Sequence, residues 1–147
     1  MEKIGFAEIE FIIKEFRSNT RTLIQQENLA NELFLRVKQY LPQKWPGHEN
    51  TSHWDLGVIN EQIRFCKYEP GQHFSPHFDG VFKRDFMEQS QLTIMVYLND
   101  EFDGGNTNFL DEKRKQADGT HVCLKALKPQ TGMVLIFQHD MYHEGEK

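Results

Sequence analysis

In the stretch Gln72-His73-Phe74-Ser75-Pro76-His77-Phe78-Asp79-Gly80, a histidine and an aspartate stand two residues apart, a spacing that suits shared work on one metal ion. In extended backbone, side chains alternate between faces, so His77 and Asp79 project from the same face, roughly 6.6 Å apart along the strand. One imidazole and one carboxylate are two of the three ligands in the facial triad of non-haem Fe(II) oxygenases, and one more His from a distant strand completes it. His139 and His143 are the candidates for that place. A half-exposed strand can alternate in this way by chance, so the rest of the chain must carry the case.

The chain has 147 residues, the size of one domain with a real core and no length left over for a second. Its net charge of -5 argues against a nucleic-acid or membrane surface, either of which wants a clustered basic face. Lys113, Arg114 and Lys115 do run together, but Asp111, Glu112 and Asp118 surround them, which suggests a solvated hairpin tip. Cys66 and Cys123 lie in apolar, strand-like segments without Cys-x-x-Cys spacing and are expected to be free, buried thiols of a reducing compartment. Acidic residues interrupt the N-terminal apolar positions and no run approaches membrane-spanning length, so the cytoplasm is the expected location.

Ala7, Ile9, Phe11 and Ile13 alternate with charged residues and suggest a strand over 7–14, although Phe6, Ile9, Ile13 and Phe16 would also suit a helix. Arg17 to Arg21 reads as polar punctuation. Leu29, Leu33, Val37 and Leu41, with Leu23 and Phe34 nearby, then predict a helix capped by Asn28 and ended by Pro42. Residues 44–53 read as an irregular connection. Ile63 to Tyr68 is a strand stopped by the turn Glu69-Pro70-Gly71.

Further strands are expected over 92–98, 107–110, 121–127 and 133–138, with a Gly104-Gly105 turn between the first two. Gly80 to Gln89, with Phe82, Lys83, Arg84 and Phe86, follows the His-x-Asp pair directly and reads as a lid or as a plain solvated connection. Many short strands after a helical segment predict a mainly β protein, an antiparallel sandwich or barrel with a helix packed outside.

Taken in order, Tyr68-x-Pro70-Gly71-Gln72-x-Phe74-x-x-His77-x-Asp79, Thr93-x-x-x-Tyr97-Leu98-Asn99, Gly104-Gly105-x-Thr107-x-Phe109, Pro129-x-x-Gly132-x-x-x-x-Phe137 and His143-x-Gly145 resemble the prolyl 4-hydroxylase-like family of Fe(II)- and 2-oxoglutarate-dependent dioxygenases. The resemblance implies a double-stranded β-helix, a jelly roll of cupin-like type, with iron at its open end. It assigns His77, Asp79 and His143 to iron, because the distal His of the pattern precedes a Gly-containing segment, and it keeps His139 in reserve. The implied cosubstrates are 2-oxoglutarate and O2, with ascorbate a further candidate, and the implied reaction hydroxylates a peptidyl, prolyl or similar side chain while 2-oxoglutarate becomes succinate and CO2.

By the same resemblance Tyr68, Tyr97 and Thr107 offer hydroxyls to the far carboxylate of 2-oxoglutarate; ordinary sheet packing is their bland role. The family also carries a Lys or Arg on the strand after the distal His, where it pairs with that carboxylate. Lys147 stands at the wrong spacing, so a single-domain core over 1–147, trimmed at both ends, is expected. A His pair four apart could alternatively bind zinc on a helix, but Asp140 stands where that motif needs Glu and the preceding residues look like a strand. His48, His53, His73 and His121 lack partners at ligand spacing and suit surface or hydrogen-bonded roles. Two rival functions stay in view: a non-catalytic β-barrel binding or regulatory module with a vestigial metal site, and a cupin-like metal enzyme that uses no oxoacid.

Overall fold

The computed structural model describes residues 15–47 and 52–147, so the strand expected over 7–14 lies outside the described residues, as does His48. β1 (Thr20–Gln25) pairs antiparallel with β4 (Gln62–Lys67), placing Thr22 opposite Phe65 and Ile24 opposite Ile63. The polar punctuation read over 17–21 therefore contains the start of a strand. β-branched Thr20, Thr22 and Ile24 recur with period two, and Arg21, Leu23 and Gln25 alternate with them on the other face.

α1 (Glu27–Val37) runs on through a tight turn at Lys38–Tyr40. Leu23 belongs to β1 and not to the helix, and Asn28 lies inside the first turn. Gln26 takes the cap position without a side-chain hydrogen bond, while Glu27 in the first turn and Arg36 in the last complement the helix dipole. Glu32 and Arg36 add an ion pair one turn apart, 2.8 Å long. The helix buries Ala30 and Val37, whereas Leu29 and Leu35 stay exposed.

β2 (Lys44–Pro46) and β3 (His53–Asp55) form a two-stranded ribbon with Trp45 opposite Trp54, where an irregular connection was expected. After β4 the chain reverses at Glu69-Pro70-Gly71-Gln72: the Gln72 N–H donates to the Glu69 carbonyl at 2.9 Å, and Gly71 has φ +83°. That is a type II turn, with Pro presetting the first corner and Gly supplying the left-handed second one. It delivers β5 (Phe74–His77).

β6 (Leu92–Val96) pairs with β9 (Val134–Gln138). β7 (Thr107–Lys115), β8 (His121–Leu127) and β10 (His143–Gly145) join β5 in a four-stranded sheet of order β5-β10-β7-β8, and every strand pairing among the described residues is antiparallel. β7 runs five residues beyond the short strand expected at 107–110. The run Lys113 to Lys115 thus forms the exposed end of a strand, and the hairpin turns only after it, where Asp118 Oδ1 accepts the Thr120 N–H at 2.9 Å.

Phe137 of β9 meets Phe109 of β7 edge-on at 5.3 Å and His143 of β10 at 4.7 Å, so the β6–β9 pair packs on the face of the larger sheet that carries His143. Phe109, Leu110 and Phe137 are buried. Both cysteines are free, as expected, but exposed. In β4 the half-buried positions are Ile63 and Phe65, and strict alternation turns Cys66 the other way. Among the described residues no helix is long and apolar enough to cross a membrane. The protein is mainly antiparallel β with little helix.

Candidate metal centre

Cross-strand register brings the two histidines together. His143 of β10 sits directly opposite His77 of β5, and their rings lie 4.2 Å apart between centroids. Asp79 follows two residues beyond β5, held by its own N–H, which donates to the His139 carbonyl at 3.3 Å. The Asp79 carboxylate reaches both rings: His77 Nε2 is 3.7 Å from Oδ1 and His143 Nε2 is 3.9 Å from Oδ2. One ligand atom from each residue lies within 4.8 Å of the others, the one such cluster among the described residues.

Hydrogen bonding sets the imidazoles for coordination. His77 Nδ1 lies 2.7 Å from the Ser75 carbonyl oxygen and His143 Nδ1 lies 2.9 Å from that of Met141. A carbonyl only accepts, so each Nδ1 carries the proton and each Nε2 turns its lone pair toward the shared space. Burial pushes His77 down to about 4, with the neighbouring His143 adding to the effect, so its ring is neutral over the physiological range. The His77 and His143 side chains are 9% and 8% exposed against 26% for Asp79, which makes the carboxylate the open side of the group.

Thr93 of β6 donates from Oγ1 to Asp79 Oδ2 at 2.5 Å, a contact that the spacing of ligand residues did not reveal. Its signal in the sequence is a lone hydroxyl within Leu-Thr-Ile-Met-Val, a strand otherwise apolar, since a hydroxyl at a half-buried position needs a partner.

His139 stays out of the cluster. It contributes its carbonyl to Asp79, and its Nδ1 is buried with no hydrogen-bond partner among the described residues. A helical zinc pair is ruled out locally, because β9 ends at Gln138 and His143 begins another strand. His53 lies 3.5 Å from Asp55, His73 Nε2 2.9 Å from the Glu15 carbonyl and His121 Nδ1 3.0 Å from the Asp111 carbonyl, all surface or backbone-bonded roles.

Tyr97 and Thr107 are joined by a 2.6 Å hydrogen bond between hydroxyls, and Thr107 is buried. The Tyr68 hydroxyl lies beside Gly145, which pairs with Thr107 across the β10–β7 register, and close to Arg17. Burial pushes the Tyr68 hydroxyl up to about 12 and raises that of Tyr97, so both remain protonated donors at neutral pH.

The segment after Asp79, 80–91, is folded back on itself. Phe82 and Ser90 exchange hydrogen bonds, Asp85 Oδ1 accepts the N–H groups of Met87 and Glu88, and Arg84 grips Glu61 with two bonds of 2.8 and 2.5 Å. Phe86 at its tip is 90% exposed.

Residues 63–147 match the model of the 2OG-Fe(II) oxygenase superfamily. A protein of Acanthamoeba polyphaga mimivirus, provisionally named a prolyl 4-hydroxylase, is 31% identical over 121 residues, covering 76% of this chain and 46% of its own length. Two Arabidopsis thaliana proteins, "Probable prolyl 4-hydroxylase 6" and "Probable prolyl 4-hydroxylase 11", are 32% identical over 87 residues and 36% over 78. Each match covers 52% of this chain, but 30% and 24% of the respective relatives. The chain thus spans less than half the length of the curated relatives it matches. No solved structure gives a significant match. With a family model that covers more than half of the sequence, including all three residues of the His-Asp-His cluster, the chain belongs to the prolyl 4-hydroxylase-like 2OG-Fe(II) oxygenases.

Proposed function

We propose that this protein is an Fe(II)- and 2-oxoglutarate-dependent dioxygenase that hydroxylates a peptidyl, prolyl or similar side chain. The observation that carries the reading is the convergence of His77 Nε2, His143 Nε2 and an Asp79 oxygen within 4.8 Å, with both Nδ1 atoms already committed to carbonyls. Two neutral imidazoles and one carboxylate suit Fe(II) and leave adjacent coordination positions for other ligands. Within this reading the β6–β9 pair and the sheet β5-β10-β7-β8 are the two sides of a double-stranded β-helix.

With iron in place, 2-oxoglutarate and O2 supply the oxidising chemistry: C1 leaves as CO2, one oxygen atom ends in succinate, and the other ends in the substrate's new hydroxyl. The chain's own residues bind and orient. His77, His143 and Asp79 would hold the ion, and the Thr93 hydroxyl pins one oxygen of the Asp79 carboxylate. The protonated hydroxyls of Tyr68 and of the Tyr97–Thr107 pair are the candidates for the far carboxylate of 2-oxoglutarate, as donors that keep their protons. The peptide substrate rests on the names of the relatives, which are prolyl 4-hydroxylases.

The test is succinate formation from 2-oxoglutarate in the presence of proline-containing peptides, with the peptide followed by mass for the gain of one oxygen atom. Turnover is expected to require Fe(II) and 2-oxoglutarate and to vanish in His77→Ala. Turnover without iron would overturn the reading.

A further inference from the structure

Phe74, three residues before His77 on β5, stacks on the His77 imidazole with centroids 3.5 Å apart and planes 20° from parallel. On Phe74 the Arg17 guanidinium lies 4.1 Å from the ring centroid. Phe16 meets Phe74 edge-on at 5.4 Å and His77 at 6.2 Å. The segment that supplies Phe16 and Arg17 is tied to β5 by backbone: Ser75 N–H donates to the Phe16 carbonyl at 2.8 Å, Ser18 N–H to the His73 carbonyl at 3.1 Å, and Arg17 forms a β-bridge with Phe74. Side chains reinforce it, with Ser75 Oγ donating to the Glu15 carbonyl at 3.0 Å and His73 N–H to Ser18 Oγ at 3.0 Å. The bracing segment, Glu15 to Ser18, lies upstream of residue 63, where the family match begins.

A histidine ligand must hold its lone pair on the ion, and its ring turns about two side-chain torsions unless something stops it. The Ser75 carbonyl fixes one edge of the His77 ring, and His143 limits one side. A parallel aromatic at van der Waals distance limits the rest. Phe74 is itself held by the Arg17 cation over its ring, which the negative face of the aromatic attracts. We infer that Arg17 and Phe74 are positioning residues for the metal centre: the segment Glu15–Ser18 braces β5, and the Arg17–Phe74–His77 stack presets the His77 ring plane for coordination. Partners that orient a ligand in this way typically contribute tenfold to a hundredfold in metal affinity. The inference rests on the metal reading above and adds to it that residues 63–147 are an incomplete metal site without the segment before them.

The experiment titrates Mn(II) into the full chain and its variants without oxygen, following free Mn(II) by electron paramagnetic resonance, and records the Co(II) ligand-field spectrum and the thermal midpoint of each metal-free protein. Phe74→Leu is expected to weaken Mn(II) binding about tenfold and to alter the Co(II) spectrum. Phe74→Tyr, which keeps the stacked ring, is expected to bind as wild type does. Arg17→Gln is expected to weaken binding by a smaller factor, with Arg17→Lys between it and wild type. Wild-type affinity and an unchanged Co(II) spectrum in Phe74→Leu would overturn the brace while leaving the metal centre standing. Equal losses in Phe74→Leu and Phe74→Tyr, or losses that merely track the thermal midpoint, would also overturn it. A wild-type chain that binds no Mn(II) would overturn the metal reading and the brace with it.

Discussion

Asp79 is the residue on which the candidate centre turns, since it is the open side of the cluster and the candidate ligand with the fewest restraints. Its carboxylate is held by one short hydrogen bond from Thr93, and without that bond the group is free to rotate toward solvent. Thr93→Val keeps the shape and removes the donor. It is expected to leave the fold intact, because the strand stays β-branched, and to weaken metal binding about tenfold, read by the same Mn(II) titration in wild type and variant. The His-x-Asp pair was legible from its residue types and two-residue spacing, although β5 ends at His77 and Asp79 is carried by the segment just beyond it. Thr93 was not, because the sequence showed its hydroxyl but not the side chain it meets across the fold.

At the scale of elements, local signals worked where one face had a strong chemical preference. The turn Glu69 to Gln72 was legible because Pro and Gly have few other uses in that order, and Gly71 does take the left-handed conformation. β1 and the β2–β3 ribbon were missed, the first because it opens on Thr20, Arg21 and Thr22, which read as polar linker, the second because Trp45 and Trp54 identify each other only once paired. The burial expected of the cysteines failed for a related reason: an apolar neighbourhood in sequence does not say which face a strand residue takes. The segment Gly80 to Gln89 allows, by sequence, both a lid and a plain connection. Its geometry is that of a preformed turn pinned by Arg84 on Glu61, a pairing that lowers Glu61 to about 2 through its hydrogen bonds with the guanidinium. Glu61→Ala is therefore expected to speed tryptic cleavage after Lys83 and Arg84 while the thermal midpoint hardly moves, since exposed ion pairs contribute little to global stability. An unchanged digestion pattern would show that the turn holds itself without the pair.

For the whole molecule, the buried imidazole of His77 couples proton uptake to folding. Its folded value is about 4 against about 6.5 for an unfolded histidine, so between those limits the unfolded chain binds a proton that the folded chain refuses. Stability of the metal-free protein is consequently expected to fall as pH drops from about 6.5 toward 4, by up to about 3 kcal/mol from this group. Urea unfolding at a series of pH values checks this, and His77→Asn should flatten the dependence. A wild-type curve that is flat across that window would contradict the burial argument.

The antiparallel register that sets His143 opposite His77 has a consequence for how the chain finds its native pairing. β10 is only three residues long, and its pairing with β5 shifts between His143 and Gly145, so little in the strand itself forbids a slip. A slip of one residue would turn His143 to the opposite face and put Tyr142 or Glu144 in its place. Only the correct alignment presents two imidazoles and the carboxylate together. A cation held there acts as a gauge on strand alignment, drawing the population toward the one pairing that it can read.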